Sequence, residues 1–357
     1  MKNNMNDYGT DSKSALQAKY DAQKIAFAPI MFQAALALRN LGILDYLLKS
    51  KRKGAEIKTI ASNLNLSTYG VKVLLEAGLS LELVIIKDQK YYITKTGYFI
   101  LSDELTKVNM NFTQDVNYMG MMSLEKSIVS GKPEGLKVFG EWSTVYEALS
   151  ELPKQVRKSW FDFDHFYSDY AFPEVLPHIF ESAPKKILDI GGNTGKFSIF
   201  CAENNADVHM TILDLPGQVL DAKKNIDKAG FSDRISTHAL NLLDNSIPFP
   251  TGYNIIWMSQ FLDCFSPKEI TAILRQVKAA MGPDSRVFIL ELFPDRQRHE
   301  AGAHSLNATS LYFTCLANGN SRFYRSTDFI ECIQEAGLTI AEQIDDIGWG
   351  HSLIECC

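Results

Sequence analysis

The chain has 357 residues, of which 46% are hydrophobic and 22% charged, and its formal net charge is −6. That length suits two domains of roughly 100–200 residues each. The composition excludes wholesale disorder, and the acidic balance argues against a partner that is nucleic acid or an anionic membrane. The polar first residues are expected to carry no secretory signal. The longest apolar stretch, Ile25 to Leu38, holds Pro29 and Gln33 and is too short to span a bilayer. Six scattered cysteines without a C-x-x-C pair read as reduced thiols of a cytoplasmic protein, with no disulfide or metal framework.

Charge divides the chain. Residues 1–105 carry 14 Lys/Arg against 10 Asp/Glu (+4), and residues 106–357 carry 22 against 32 (−10). In the first part, Ile25, Met31, Ala35, Leu38, Leu41, Leu44 and Leu47 recur at helical steps, which predicts a mostly buried helical stretch broken near Gly42. A short helix over 56–61 and a linker at 63–67 follow. Ser67 or Thr68 can cap a helix reaching Leu79, with Val71, Leu74 and Leu75 inward. Leu83–Ile86 and Tyr91–Thr94 flank a four-residue turn and read as a hairpin. Helix–turn–helix plus hairpin is a winged-helix pattern over residues 13–105. The only long polar side chains on its second helix are Lys72 and Glu76. Base readout wants Arg, Asn or Gln there, which favours a structural or dimer-forming use over DNA binding.

Residues 106–180 read as a helical linker that carries an aromatic-rich stretch, Trp160 to Tyr170. That stretch is either a helix packed on the core or the wall of an aromatic pocket. From 181 to 357 strand and helix alternate. Strands are expected at 186–190, 208–213, 235–240, 253–259 and 286–290, and a final pair at 338–343 and 349–354. Repeated βα units predict a parallel, Rossmann-like α/β sheet.

The turn after the first of these strands is Asp189-Ile190-Gly191-Gly192-Asn193-Thr194-Gly195-Lys196-Phe197. Glycines let backbone approach a ligand, and the helix N-terminus behind them favours an anionic group. A phosphate loop is excluded because the glycine spacing is one residue short and Phe197 stands where Ser or Thr must bind magnesium. The dinucleotide pattern fails at Asn193 and Lys196. There remain an acid at the strand end and a second acid, Asp214, 19 residues past Gly195. An acid there can accept both ribose hydroxyls, and a carboxylate near Asp189 can hold an ammonium. Ribose plus an amino acid, without phosphates, describes S-adenosyl-L-methionine.

With ILDIGGNTG, DLPGQV, the stretch Phe261–Ser266 and Val287–Phe293, the chain resembles the class I small-molecule O-methyltransferases. It is most similar to the branch with plant caffeic-acid-type, hydroxyindole and bacterial polyketide enzymes. The resemblance implies an N-terminal winged-helix domain that forms a homodimer and a Rossmann-like catalytic domain. It also implies methyl transfer from S-adenosylmethionine to a hydroxyl of a small aromatic acceptor. It assigns cofactor contacts to Asp189, Gly191, Gly192, Gly195, Asp214, Leu215, Asn241, Leu242 and Ser259. Acceptor contacts fall on Phe163, Tyr167, Tyr170, Asn307 and Leu311.

The catalytic position departs from the family's pattern. Leu262-Asp263-Cys264-Phe265 stands where the family has Leu-His-Asp-Trp, so Asp263 replaces the His base. The supporting acid matches Glu291, 28 residues on, and a second acid is missing near Phe323. An unperturbed Asp, pKa about 3.9, is a weak base for a phenol. Asp263 among Phe261, Leu262 and Phe265, close to Glu291, would have a raised pKa and could act as base or orienting acceptor. His165 and His304 are the other candidates. Two further readings stay open: N- or C-methylation by an enzyme drifted from the family's base, and a ligand-sensing regulator built on the winged helix.

Overall fold

A computed structural model describes residues 10–244 and 246–357. The chain divides into two compact units, one ending at Gln114 and the other covering Asp115–Cys357. The expected boundary at 105 moves to 114 because helix Glu104–Phe112 belongs to the first unit.

The first unit comprises α1 (Ala15–Ala26), α2 (Ala28–Asn40), α3 (Ile43–Ser50), α4 (Ile57–Leu64), α5 (Thr68–Ser80), the hairpin β1 (Val84–Lys87) and β2 (Lys90–Ile93), α6 (Lys95–Ser102) and α7 (Glu104–Phe112). Asp88 and Gln89 both take positive φ, as a tight two-residue hairpin turn requires. The Ser67 hydroxyl caps α5 by accepting from the Gly70 N–H. Leu38, Leu44, Leu47, Ile60, Val71 and Leu75 form the core. The expectation of a buried stretch from Ile25 onward needs correction. Leu16, Tyr20, Ile25, Phe27 and Ile30 on α1 and the start of α2 are exposed, and burial begins at Ala35. On α5, Tyr69 and Val73 face outward, beside a Lys72–Glu76 ion pair. That surface is apolar and charge-neutral, unlike a DNA-reading helix.

The second unit opens with α8 (Leu124–Ser130), α9 (Val145–Ala148) and the 27-residue α10 (Lys154–Phe180). The sheet strands are β3 (Lys186–Ile190), β4 (His209–Asp214), β5 (Ile235–Ala239), β6 (Ile255–Ser259), β7 (Arg286–Leu292), β8 (Ile340–Ile347) and β9 (His351–Cys356). The helices between them are α11 (Lys196–Asn204), α12 (Pro216–Ala229), α13 (Pro267–Ala280), α14 (Glu300–Tyr312) and α15 (Ser326–Glu335). Strand order is β5-β4-β3-β6-β7-β9-β8. The first five strands run parallel and β9 is antiparallel to both neighbours.

Both faces of the sheet are covered, so its strands are apolar on both sides. Leu188, Ile190, Ile256, Met258, Val287 and Ile289 pack with residues of α13 and α15. Ile187, Ile212, Ile255, Trp257, Phe288 and Leu290 pack with α10, α11 and α12. This doubly covered sheet puts the carboxyl ends of β3, β4, β6 and β7 side by side, and ligands of open α/β sheets bind at such ends. Among the described residues no helix is long and apolar enough to cross a membrane.

Candidate active site

The loop after β3 is shaped by close approach. Gly191 has φ +73°, and a Cβ there would lie 2.2 Å from the Phe261 ring. A Cβ at Gly192 would meet Ile212 Cγ2 at 2.8 Å and Asp189 Oδ2 at 2.9 Å. Asp189 sits beneath the loop, 2% exposed, and its Oδ2 accepts from the Ser198 hydroxyl at 2.6 Å. It braces the loop from below, and burial pushes its pKa up to about 7. Asp214 closes the β4 side. Its two oxygens accept from the N–H of Asn193 (2.8 Å) and of Leu215 (2.6 Å). Burial raises its pKa to about 6 against the pull of those donors. Each oxygen keeps a second lone pair for a ligand hydroxyl.

The opposite wall of the cleft comes from α10. Asp164, His165 and Ser168 line it together with Gly191–Thr194 and Ser259. Asp164 Oδ2 accepts from Asn193 Nδ2 at 3.3 Å, and burial pushes its carboxyl up to about 7. Burial pushes His165 down to about 4, so its ring is neutral near pH 7. Its Nε2 lies 3.5 Å from Thr194 Oγ1. Asn193 Oδ1 and Ser259 Oγ are buried without a hydrogen-bond partner. Unpaired buried polar atoms are rare in native structures, and those that point into a cleft fit a polar ligand.

Past β6, the loop 260–266 carries Asp263, which is 5% exposed. Glu291 on β7 holds this loop, because its Oε1 accepts from the N–H of Phe261 (3.1 Å) and of Leu262 (2.8 Å). Asn318 Nδ2 donates to Cys264 O (2.5 Å) and the Tyr324 hydroxyl to Phe265 O (2.7 Å). The Cys264 thiol donates to Asp263 Oδ1 at 3.4 Å. Burial, and then the Asp164 charge, push Asp263 up to about 7. Burial and the Asp263 charge hold the Glu291 carboxyl well above the usual range. Glu291 is 1% exposed, so burial and the mutual repulsion of this carboxyl pair both favour the protonated form. His304 is exposed on α14. Phe323, where a second acid was sought, is buried edge-on to Phe313.

The remaining expected residues divide. Leu215 adjoins Asp214, whereas Leu242 packs inside the core. Asn241 is exposed, and its Oδ1 accepts from the Leu243 N–H, leaving its amide nitrogen for a ligand. Phe163 and Tyr167 pack against each other with their rings tilted by 56°. Tyr170 is 47% exposed and packs edge-on to Trp349. Asn307 and Leu311 are exposed, while Tyr312 beside them is buried. On α10 the residues that line the cleft with the glycine loop are Asp164, His165, Ser168 and Phe172, while Arg157 and Phe161 line a neighbouring cavity with Asp221 and Lys224. Residues missed by sequence reasoning include Asp164, Gln260, Tyr146 and the pair Trp160–Tyr312, joined at 2.6 Å. The Tyr146 hydroxyl is buried next to the Cys264 thiol and in the electrostatic reach of Asp263. A period-of-four reading of Asp164 and Ser168 is the signal that places them on one face of α10.

Comparison with known proteins decides the family. The O-methyltransferase domain model matches residues 141–339, and the Dimerisation2-like domain model matches residues 19–91. The chain belongs to the O-methyltransferase domain family. Its cofactor is S-adenosyl-L-methionine, and the orphaned polar atoms and cradling glycines of this methyltransferase fit that group. It is 26% identical to an L-tyrosine C(3)-methyltransferase of Streptomyces lavendulae over 91% of this chain and 88% of that protein. In fold it is similar to the S-adenosylmethionine-dependent methyltransferase SibL in its apo form (TM-score 0.72, 23% identity, 94% of this chain and 98% of that one). It is also similar to the neocarzinostatin O-methyltransferase NcsB1 in complex with S-adenosyl-L-homocysteine and 1,4-dihydroxy-2-naphthoic acid (TM-score 0.66, 20% identity, 92% and 95%).

Two outcomes follow for this methyltransferase. Gly191→Ala places a Cβ against the Phe261 ring in a left-handed backbone; calorimetry with S-adenosylhomocysteine should show at least tenfold weaker binding, and stability should fall by about 1–2 kcal/mol. Asp263 has a folded pKa raised to about 7 from 3.8, so the native state binds more protons than the unfolded one between those values. Its contribution to stability is present below about pH 4 and is lost as pH rises through 7. The melting-temperature advantage of Asp263→Asn over the parent should grow from pH 4 to pH 7 and then stay level.

Proposed function

We propose that this chain transfers the methyl group of S-adenosylmethionine to the hydroxyl oxygen of a small phenolic acceptor, with Asp263 as the group that takes the proton. The observation that carries this reading is the buried Asp263 carboxyl poised near pH 7 beside Glu291. The methyl sulfonium supplies an activated electrophile when bound, so much of the rate comes from placement. Asp214 would hold the ribose hydroxyls. The glycine loop and Ser259 would hold the amino-acid end, and Leu215 and the Asn241 amide would flank the adenine.

The proton bookkeeping is simple. Asp263 takes the acceptor's proton only in its ionised form, and a pKa near 7 is far better matched to a phenol than 3.9 is. His165, pushed to about 4, is a weaker base by roughly three units. Glu291 keeps Asp263 in place by accepting the N–H groups of its loop. Tyr146, Trp160, Tyr312 and Phe161 would form an aromatic enclosure around a planar acceptor.

A second reading has its own observation. The relative matched over 91% of the chain is a tyrosine C(3)-methyltransferase. Removing a phenol's proton also makes the neighbouring ring carbon nucleophilic, so the same base would serve. Proton NMR of the product separates the two, since a methoxy and an aryl methyl resonate apart.

The winged-helix unit is proposed to pair two chains through the exposed apolar side chains of α1 and α2. Light scattering should give about twice the 40.1 kDa chain mass; a single-chain mass would contradict pairing. For catalysis, kcat/KM with a phenolic acceptor should rise tenfold per pH unit below about 7 and level off above it. Asp263→Asn should lower turnover about 100-fold or more and abolish that limb. Unchanged turnover would remove Asp263 from the reaction.

A further inference from the structure

Adjacent residues on a regular helix or strand do not face one another. After β6 two of them do. The 3₁₀ turn Leu262–Cys264 is closed by the Cys264 N–H on Phe261 O at 3.1 Å. It folds the chain so that Cys264 Sγ lies 3.4 Å from Asp263 Oδ1. The far end of the turn is pinned as well, since Cys264 O accepts from Asn318 Nδ2. With the main chain held on both sides, a single side-chain torsion sets the direction of the thiol.

That thiol keeps its proton. Burial, and then the Asp263 charge, hold it well above the usual thiol range, so near neutral pH the sulfur is a donor and not a thiolate. The Tyr146 hydroxyl is buried next to the sulfur. Burial raises its pKa too, so it keeps its proton and is placed to donate to the sulfur. Hydrogen bonds in series polarise one another, which makes the thiol a better donor than it is alone. Tyr146 is anchored in turn through its carbonyl, which accepts from Gln218 Nε2 of α12 at 3.3 Å.

The other groups that face Asp263 do not replace the thiol. Asp164 on α10 and Glu291 on β7 are acids whose charges oppose its ionisation. The Tyr324 hydroxyl donates to Phe265 O at 2.7 Å, and the Tyr312 oxygen accepts from Trp160 Nε1 at 2.6 Å. A donor that serves the ionised form of a carboxyl favours that form. We propose that Cys264 is a positioning residue for methyl transfer: its thiol, backed by the Tyr146 hydroxyl, holds Oδ1 of ionised Asp263 and leaves Oδ2 to meet the acceptor's proton. The bond offsets part of what burial costs the carboxylate, and so sets the pH at which the base becomes active. This rests on the reading of Asp263 as the base.

The parent protein, Cys264→Ala, Cys264→Ser and Tyr146→Phe test it with two readouts. One is the carbon-13 titration of the Asp263 carboxyl, and the other is the pH dependence of kcat/KM with a phenolic acceptor. Cys264→Ala should move both midpoints up by about half to one pH unit, a thiol being a weak donor. Its kcat/KM should fall about three- to tenfold at pH 6 and stay within about twofold of the parent at pH 9. Cys264→Ser keeps a donor and should bring both midpoints back to within about 0.3 unit of the parent. Tyr146→Phe should shift them in the direction of Cys264→Ala, by less. An even loss at every pH with unmoved midpoints, no change at all, or a serine variant that behaves as the alanine one would overturn the role of Cys264. Parent-like midpoints in Tyr146→Phe beside shifted ones in Cys264→Ala would overturn the part given to Tyr146. A carboxyl midpoint that moves in Cys264→Ala while the kinetic one stays would leave the hydrogen bond standing. It would remove Asp263 as the base, and the positioning role with it.

Discussion

The second unit is organised around carboxyl groups taken out of water at the carboxyl ends of adjacent parallel strands. Asp189 is the penultimate residue of β3, Asp214 ends β4, Asp263 follows β6 and Glu291 lies on β7, and all four are buried. Asp164 of α10 faces them across the cleft. An isolated ionised carboxylate in such surroundings would cost several kcal/mol, and the molecule responds in two ways. It supplies donors, the Ser198 hydroxyl to Asp189 and backbone N–H groups to Asp214 and Glu291. Where donors do not suffice, protons stay on, and pKa values move toward neutrality.

Division of labour among these acids follows from what each one touches. Asp189 is spent on the glycine loop from beneath. Asp214 keeps lone pairs available at the rim. Glu291 holds the N–H groups of the loop that carries Asp263, while Asn318 and Tyr324 hold two of its carbonyls. That leaves Asp263 rigidly placed with only a weak thiol donor on its carboxylate. A base needs that combination of fixed position and little competing hydrogen bonding.

Much of this was legible in the sequence. Strand β3 was expected at its observed bounds, because an apolar run ending in an acid and glycines has few other readings. The glycine loop and Asp214 came from local spacing, Asp263 and Glu291 came from the resemblance to the family, and all stand at the carboxyl ends of adjacent strands. What spacing could not fix was rotation about α10. Eleven residues from Trp160 to Tyr170 include seven aromatics or histidine, so several helix faces look equally suited to a pocket. Packing against Trp349, remote in sequence, decides that Tyr170 turns away from the cleft. The burial of Ile25 failed for a related reason, since an apolar helix face says that something covers it but not whether the cover is this chain.

The central claim is that burial beside Glu291 makes Asp263 a base tuned to neutral pH. The most direct measurement is a carbon-13 NMR titration of the aspartate carboxyls in the protein bound to S-adenosylhomocysteine. A resonance with a midpoint near pH 7 that disappears in Asp263→Asn is the expected result. A midpoint near 4 for that resonance would contradict the account.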